Sequence, residues 1–203
     1  MDKAKIRLSA NEMELVTNAG WILTKNGIIE KTKTLFGQIQ EKMIDHLKTV
    51  DARLMIDVTR VPPKISKGEN YKGLPYLMLD YPRLFDKENI FAIRTMFWWG
   101  NFFSITLHLG GNYKNQFEEK CISALAVFKT HDFFVCIHTG EWEHHFDPSN
   151  YTAIKDLDPL QWEKIIKEKS FIKIAKKYSL HQWDDADNKL PDDFTLITGV
   201  LAF

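Results

Sequence analysis

The stretch that most constrains this chain is residues 90–109, IFAIRTMFWW-GN-FFSITLHL. Two runs of β-branched and aromatic residues flank Gly100-Asn101, and a two-residue loop that begins with Gly marks a tight type II′ hairpin. With Gly100 and Asn101 as the whole turn, Trp99 faces Phe102, Phe97 faces Ser104, Thr95 faces Thr106 and Ile93 faces His108. Side chains alternate faces along a strand. One face then carries Met96, Trp98, Phe103, Ile105, Leu107 and Leu109, broken only by Arg94, and reads as core. The other mixes Phe91, Ile93, Phe97, Trp99 and Phe102 with Thr95, Ser104, Thr106 and His108. Rings beside a few polar groups are also what a ligand surface uses.

A chain of 203 residues suits one domain and buries a sizeable core without staples. The expected unit is a single α+β domain over 1–203, with any subdivision falling near 148–155. Lys plus Arg and Asp plus Glu are 27 each, so the net charge is zero with histidines neutral. That balance argues against a dedicated nucleic-acid binder, which carries a clear basic excess. Cys121 and Cys136 both sit in apolar runs and read as buried thiols rather than a bridge, which points to the reducing cytoplasm. The N-terminus lacks a signal-peptide core. The uncharged run 95–113 contains three glycines, an asparagine at the turn and a histidine, with a period of two, so a hairpin explains it better than a membrane span.

Along the chain, Ser9-x-x-Glu12 is a capping box that opens a first helix near Ala10. Asn26-Gly27 is read as its stop, and Ile28, Leu35, Ile39, Met43 and Leu47 define a second helix over 28–48. Short strands are expected over 54–58 and 74–81, with a polar loop at 64–73 between them. A helix is expected over 113–129, a strand over 133–138 and an exposed partner strand over 141–146. Asp158-Pro159-x-Gln161 opens a helix over 160–169. A further helix is expected over 171–178, an acidic loop next, and a terminal strand over 195–202.

Several residues could carry chemistry. His138, Glu141, His144 and His145 lie close together, but adjacent residues of a strand point to opposite faces and no paired metal spacing supports a site; no metal or cofactor is expected. Ser104 and His108 share a face, yet the sharp elbow that exposes a nucleophilic serine is absent. Arg94 on an apolar face needs a partner, because an uncompensated buried charge costs several kcal/mol. Asp80 is the structural choice, and an anionic ligand is the alternative. The lysines of 164–177 read as a solvated face, and the acidic loop lacks the spacing of a calcium loop.

The passage 67–75, KGENYKGLP, followed by strands rich in Phe and Trp, resembles small bacterial families of unknown function with a helix-first α+β fold. The resemblance implies a bacterial cytosolic protein and carries no catalytic residue across. The fold expected is α+β, a mostly antiparallel sheet built on the 90–109 hairpin, with helices packed on it and a helical pair at the N-terminus. The function expected is binding of a small molecule on the sheet face of that hairpin, through Arg94, Thr95, Phe97, Trp99, Thr106 and His108. The alternative is an interaction domain without catalysis, anchored by exposed Trp142, Trp162 or Trp183. Whether the chain is an enzyme stays open. Neither nucleic acid nor membrane is an expected partner; a homodimer is an open option.

Overall fold

The computed structural model describes residues 6–49 and 56–202. Ser9 opens α1 (Ala10–Thr17) with both halves of the capping box in place. The chain then breaks at Asn18, not at Asn26-Gly27: the Asn18 side chain accepts from the Trp21 amide at 3.0 Å and starts α2 (Ala19–Thr49), which runs straight through Gly27. One stripe of α2, including Ile29, Phe36, Ile39, Met43 and Leu47, is buried. The strand expected over 54–58 begins outside the described residues, and Ile56–Thr59 is a helical turn, α3.

The 64–73 segment is not a loop. It forms β1 (Lys64–Tyr71), which turns through Lys72-Gly73 into β2 (Leu74–Phe85). Both turn residues have positive φ, +50° and +83°, the sign pattern that matches the twist of paired strands. Next come β3 (Ile90–Trp98) and β4 (Phe102–Gly110). Gly111, at φ +58°, then admits α4 (Asn112–Ser123), because a Cβ at that position would run into the Glu88 carbonyl. After α5 (Leu125–Thr130) come β5 (Phe134–Cys136) and β6 (Tyr151–Ala153). The Asp158–Gln161 capping box opens α6 (Pro159–Glu168) as expected.

The C-terminal third exchanges two expectations. Residues 171–178 are a strand, β7 (Phe171–Ser179), and 195–202 belong to a helix, α7 (Ala186–Ala202). The reason is periodicity. Ile172 and Ile174 alternate with Phe171, Lys173 and Ala175 at a period of two. Ala186, Leu190, Phe194, Ile197 and Leu201 recur every three or four residues and are all buried. Burial of that stripe overrides the local β-propensity of TLITGV.

The seven strands form one antiparallel sheet in the order β1-β2-β3-β4-β7-β5-β6, so the fold is α+β. The hairpin at its centre has a three-residue turn, Trp99-Gly100-Asn101, with Gly100 at φ +68°. Trp98 therefore faces Phe102, Met96 faces Ser104, Arg94 faces Thr106 and Ala92 faces His108. This is one residue away from the expected register, and a slip of one moves a whole strand's side chains to the opposite face. One face holds Phe91, Ile93, Thr95, Phe97, Phe103, Ile105, Leu107 and Leu109, covered by α2, α4 and α7. The opposite face holds Arg94, Met96, Trp98, Ser104, Thr106 and His108. No helix among the described residues is long and apolar enough to cross a membrane.

Candidate functional site

The second face is roofed by residues 137–150, the segment between β5 and β6. It was expected to hold a strand over 141–146, but it has no strand or helix over that span. A stretch without regular structure cannot satisfy its own backbone groups, so buried N–H and C=O groups must find side-chain partners. The sheet supplies them. Lys173 Nζ, from β7, donates to the carbonyls of Glu141, at 2.9 Å, and Glu143. Tyr71, at the end of β1, accepts from the amides of His144 and His145 at 2.7 and 3.0 Å and donates to Glu143 Oε2 at 2.9 Å. Asn150 Nδ2 closes the strap on the His145 carbonyl at 2.5 Å.

These side chains form a buried polar layer. His108 is fully buried, with Nε2 3.1 Å from Glu141 Oε2 and Nδ1 without a hydrogen-bond partner. Burial lowers its pKa against the opposing pull of Glu141, while the His108 hydrogen bond lowers that of Glu141. Burial also holds His144 well below the usual imidazole range and brings Lys173 down to about 8. The Tyr71 phenol is pushed up to about 12 by the same cause. Arg94 pairs with Asp80 as expected, Nε to Oδ1 at 2.7 Å and the second arm at 3.4 Å. Phe85 and Trp142 flank the guanidinium.

Of the six residues expected to line a ligand surface, the structure brings three together. Arg94, Thr106 and His108 share the strap face; Thr106 lies in hydrogen-bonding reach of the Tyr151 phenol. Thr95 and Phe97 point into the helix-covered core, and Trp99 sits in the turn with its ring packed on Phe97 at 5.5 Å. The register slip is the whole reason. Among the tryptophans read as exposed anchors, Trp142 is 52% exposed over His108, whereas Trp162 is 1% exposed, with its N–H on the Ile122 carbonyl. Trp183 is partly buried against Phe97 and Phe103. Among the described residues no three His, Cys, Asp or Glu side chains converge as a metal site. Cys121 and Cys136 are free, buried thiols.

Where the strap meets the hairpin tips, a hollow of about 310 Å3 opens. Its walls are Trp98, Phe102 and Phe146, with Lys72, Lys177, His145 and Asp147 at its edge. The rings pack edge to face, Trp98 on Phe102 at 5.3 Å and Phe102 on Phe146 at 5.1 Å. Lys177 lies over the Phe146 ring at 5.2 Å. His145 is held between Asp147, at 3.0 Å, and Glu143, at 3.4 Å. The indole N–H of Trp98 is buried and lacks a hydrogen-bond partner. Sequence reasoning missed this hollow because Phe146 and His145 come from a strap docked by side chains remote in the chain, among them Tyr71, His108 and Lys173.

A larger hollow, about 540 Å3, lies between α4, α5 and α7, against Val127, Leu196 and Val200. It offers few polar groups for orienting a ligand, and Lys120 at its rim already donates to the Leu201 carbonyl. Comparison with protein-family models, with curated proteins and with solved structures finds no match to this chain.

Proposed function

We propose that this protein binds a small molecule that joins an aromatic or apolar body to a carboxylate or phosphate, in the hollow between the strap and the hairpin tips. The observation that carries the reading is a hollow walled by the Trp98, Phe102 and Phe146 rings and edged by Lys72 and Lys177, with Asp147 the one carboxylate in its lining among the described residues. The two lysines have no ion-pair partner among the described residues. The rings supply the apolar walls typical of ligand sites, and the volume suits a molecule of modest size. The polar layer behind the hollow holds the strap in place, and with it Phe146 and His145.

Benzoate, phenyl phosphate and benzyl alcohol test the reading, followed by tryptophan fluorescence and amide NMR shifts. The two anions are expected to bind saturably and to move the Trp98 indole signal, and benzyl alcohol to bind more weakly. Lys72→Ala with Lys177→Ala is expected to weaken anion binding about tenfold or more. Absence of saturable binding, or binding indifferent to both lysines and to Trp98→Phe, would reject the site.

A further inference from the structure

Exposed apolar side chains are normal when scattered; a contiguous set is not. Of the fourteen large hydrophobic residues exposed in the described chain, eight fall between Ile6 and Leu23, at 44–98% exposure. From Ala10 on, the segment is helix, broken at Asn18. Ser9 and Glu12 close a capping box on α1, and Asn18 caps α2 through the Trp21 amide. Yet no residue of α1 is buried. Two capped helices joined at Asn18 thus stand off the body as a preformed hook.

The phase of α2 shows that the hook's apolar side belongs to an interface. Its buried stripe reads backwards from Leu47 through Met43, Ile39, Phe36, Thr32 and Ile29 at steps of three and four. The same steps continue through Lys25 to Ile22, with Trp21 beside it. The stripe leaves the sheet after Ile29 and runs on uncovered. An interfacial membrane helix carries Lys and Arg on its polar face. Here residues 6–25 hold Arg7 and Lys25 against Glu12 and Glu14, a neutral balance that gives no net attraction to an anionic bilayer.

The hook is complementary to itself. About an axis between Asn18 and Ala19, antiparallel pairing sets Val16 opposite Trp21, Leu15 opposite Ile22, and Glu12 opposite Lys25. The crossing point holds Asn18, Ala19 and Gly20, small enough for close approach. Lys25 is held within its own chain only by a partly exposed contact to Glu69 at 3.4 Å. We infer that a second copy of this chain docks on the hook, α1 of each copy lying along the first two turns of α2 of the other about a two-fold axis. Such an isologous contact closes and makes a dimer, not a fibre.

Sedimentation equilibrium of the full chain from about 1 to about 200 micromolar tests this. A dimer is expected, and Val16→Glu or Ile22→Glu is expected to raise its dissociation constant at least about a hundredfold. Melting of the body should not change, since the body-facing stripe starts at Ile29. Register is read by cross-linking: mixing Val16→Cys with Trp21→Cys protein is expected to give a disulfide-linked dimer that neither forms alone. Cys121 and Cys136 are buried and do not compete. A monomer throughout that range, or a dimer that survives both glutamate substitutions, overturns the inference. So does a monomer that sediments with phosphatidylglycerol vesicles and loses this on Val16→Glu, which would assign the hook to a membrane. A dimer in which the mixed cysteines fail to link overturns the antiparallel register.

Discussion

The two faces of one hairpin are built on opposite physical principles. The helix-covered face is aliphatic and aromatic, with Phe91, Ile93, Phe97, Ile105 and Leu107 meeting Phe36, Ile39, Phe194 and Ile197 in a single cluster. The strap-covered face buries Asp80, His108 and Lys173, with Arg94 nearly as deep, under a segment that has no ladder of its own over 141–146. Hydrophobic burial is non-directional and proportional to area, so the first face stabilises the fold whatever its detailed geometry. Buried polar groups are costly unless each finds its partner, so the second face specifies one arrangement of strap on sheet. Stability and specificity are divided between the sides of the same four central strands. The candidate site lies on the specific side, at the hairpin tips.

The largest effect should come from emptying the dry face. Phe36→Ala or Phe194→Ala removes a fully buried ring between helix and sheet and is expected to cost about 3–5 kcal/mol in denaturant unfolding. Phe102→Ala, across the sheet and beside the hollow, should cost distinctly less. Equal losses at Phe36 and Phe102 would abolish the distinction between the faces.

The next effect tests whether the polar face rests on pairing. Arg94→Met strands the buried Asp80 carboxylate and is expected to cost about 3 kcal/mol or more. The double change Arg94→Met with Asp80→Leu removes both charges and should recover most of that loss. A double variant as unstable as the single one would show that Arg94 acts through its packing on Phe85 instead.

Acid should act mainly on the polar face, with a smaller part from His46 on the helix side, whose pKa burial also lowers. Burial depresses the folded-state pKa of His108 and, further, of His144 below the ordinary imidazole value. At a pH below about 6.5, the unfolded chain takes up protons that the folded chain still refuses, so stability falls as pH falls through that window. Above about pH 7 both states are neutral at these rings and their contribution is complete. The groups around them are Glu141, Lys173, Arg94 and Tyr71; Glu141, itself held low by His108, adds to the loss at more acid pH. Unfolding measured from pH 7 to pH 5 is expected to lose stability in the native chain and less of it in His144→Gln. An unchanged slope in that variant would place the acid sensitivity elsewhere.

These contrasts also mark what the amino-acid sequence disclosed. Capping boxes at Ser9 and Asp158, the stripe of α2 and the existence of the central hairpin were legible because each is a local signal with a local cause. The register was not, since a turn of two or three residues around Gly100-Asn101 differs by one backbone step, while that step exchanges Arg94 for Thr95 beside His108. The strap was not, because its path depends on Tyr71 and Lys173, which are 73 and 32 residues away in the chain. Helix α7 and strand β7 were read in reverse because short runs of mixed Ile, Lys and Thr satisfy either period, and only tertiary burial decides between them. Arg94 with Asp80 was legible, because a lone charge on an apolar strand demands a partner on its neighbour.

The smallest expected effect on global stability is also the sharpest test of how the strap is held. Lys173 is 1% exposed, and burial brings its pKa down to about 8. Between pH 8 and its ordinary value of 10.5, the unfolded chain holds a proton that the folded chain has released, so this group's contribution to stability rises with pH across that window. At neutral pH it is charged in both states, and the folded state bears the cost of burying it. Lys173→Met removes that cost together with the hydrogen bonds to the Glu141 and Glu143 carbonyls. The two losses oppose each other, so global unfolding should shift by no more than about 1 kcal/mol. The strap carbonyls, however, then lack their donor and turn to water. Amide exchange over 141–146 is expected to quicken about tenfold or more, while the β3 and β4 amides keep their protection. Because Phe146 and His145 ride on the strap, the anion affinity of the hollow should fall with it. Unchanged strap exchange together with a large global loss would mean that Lys173 supports the sheet and not the strap, and the division between a stabilising face and a specifying face would not hold at its most deeply buried charge.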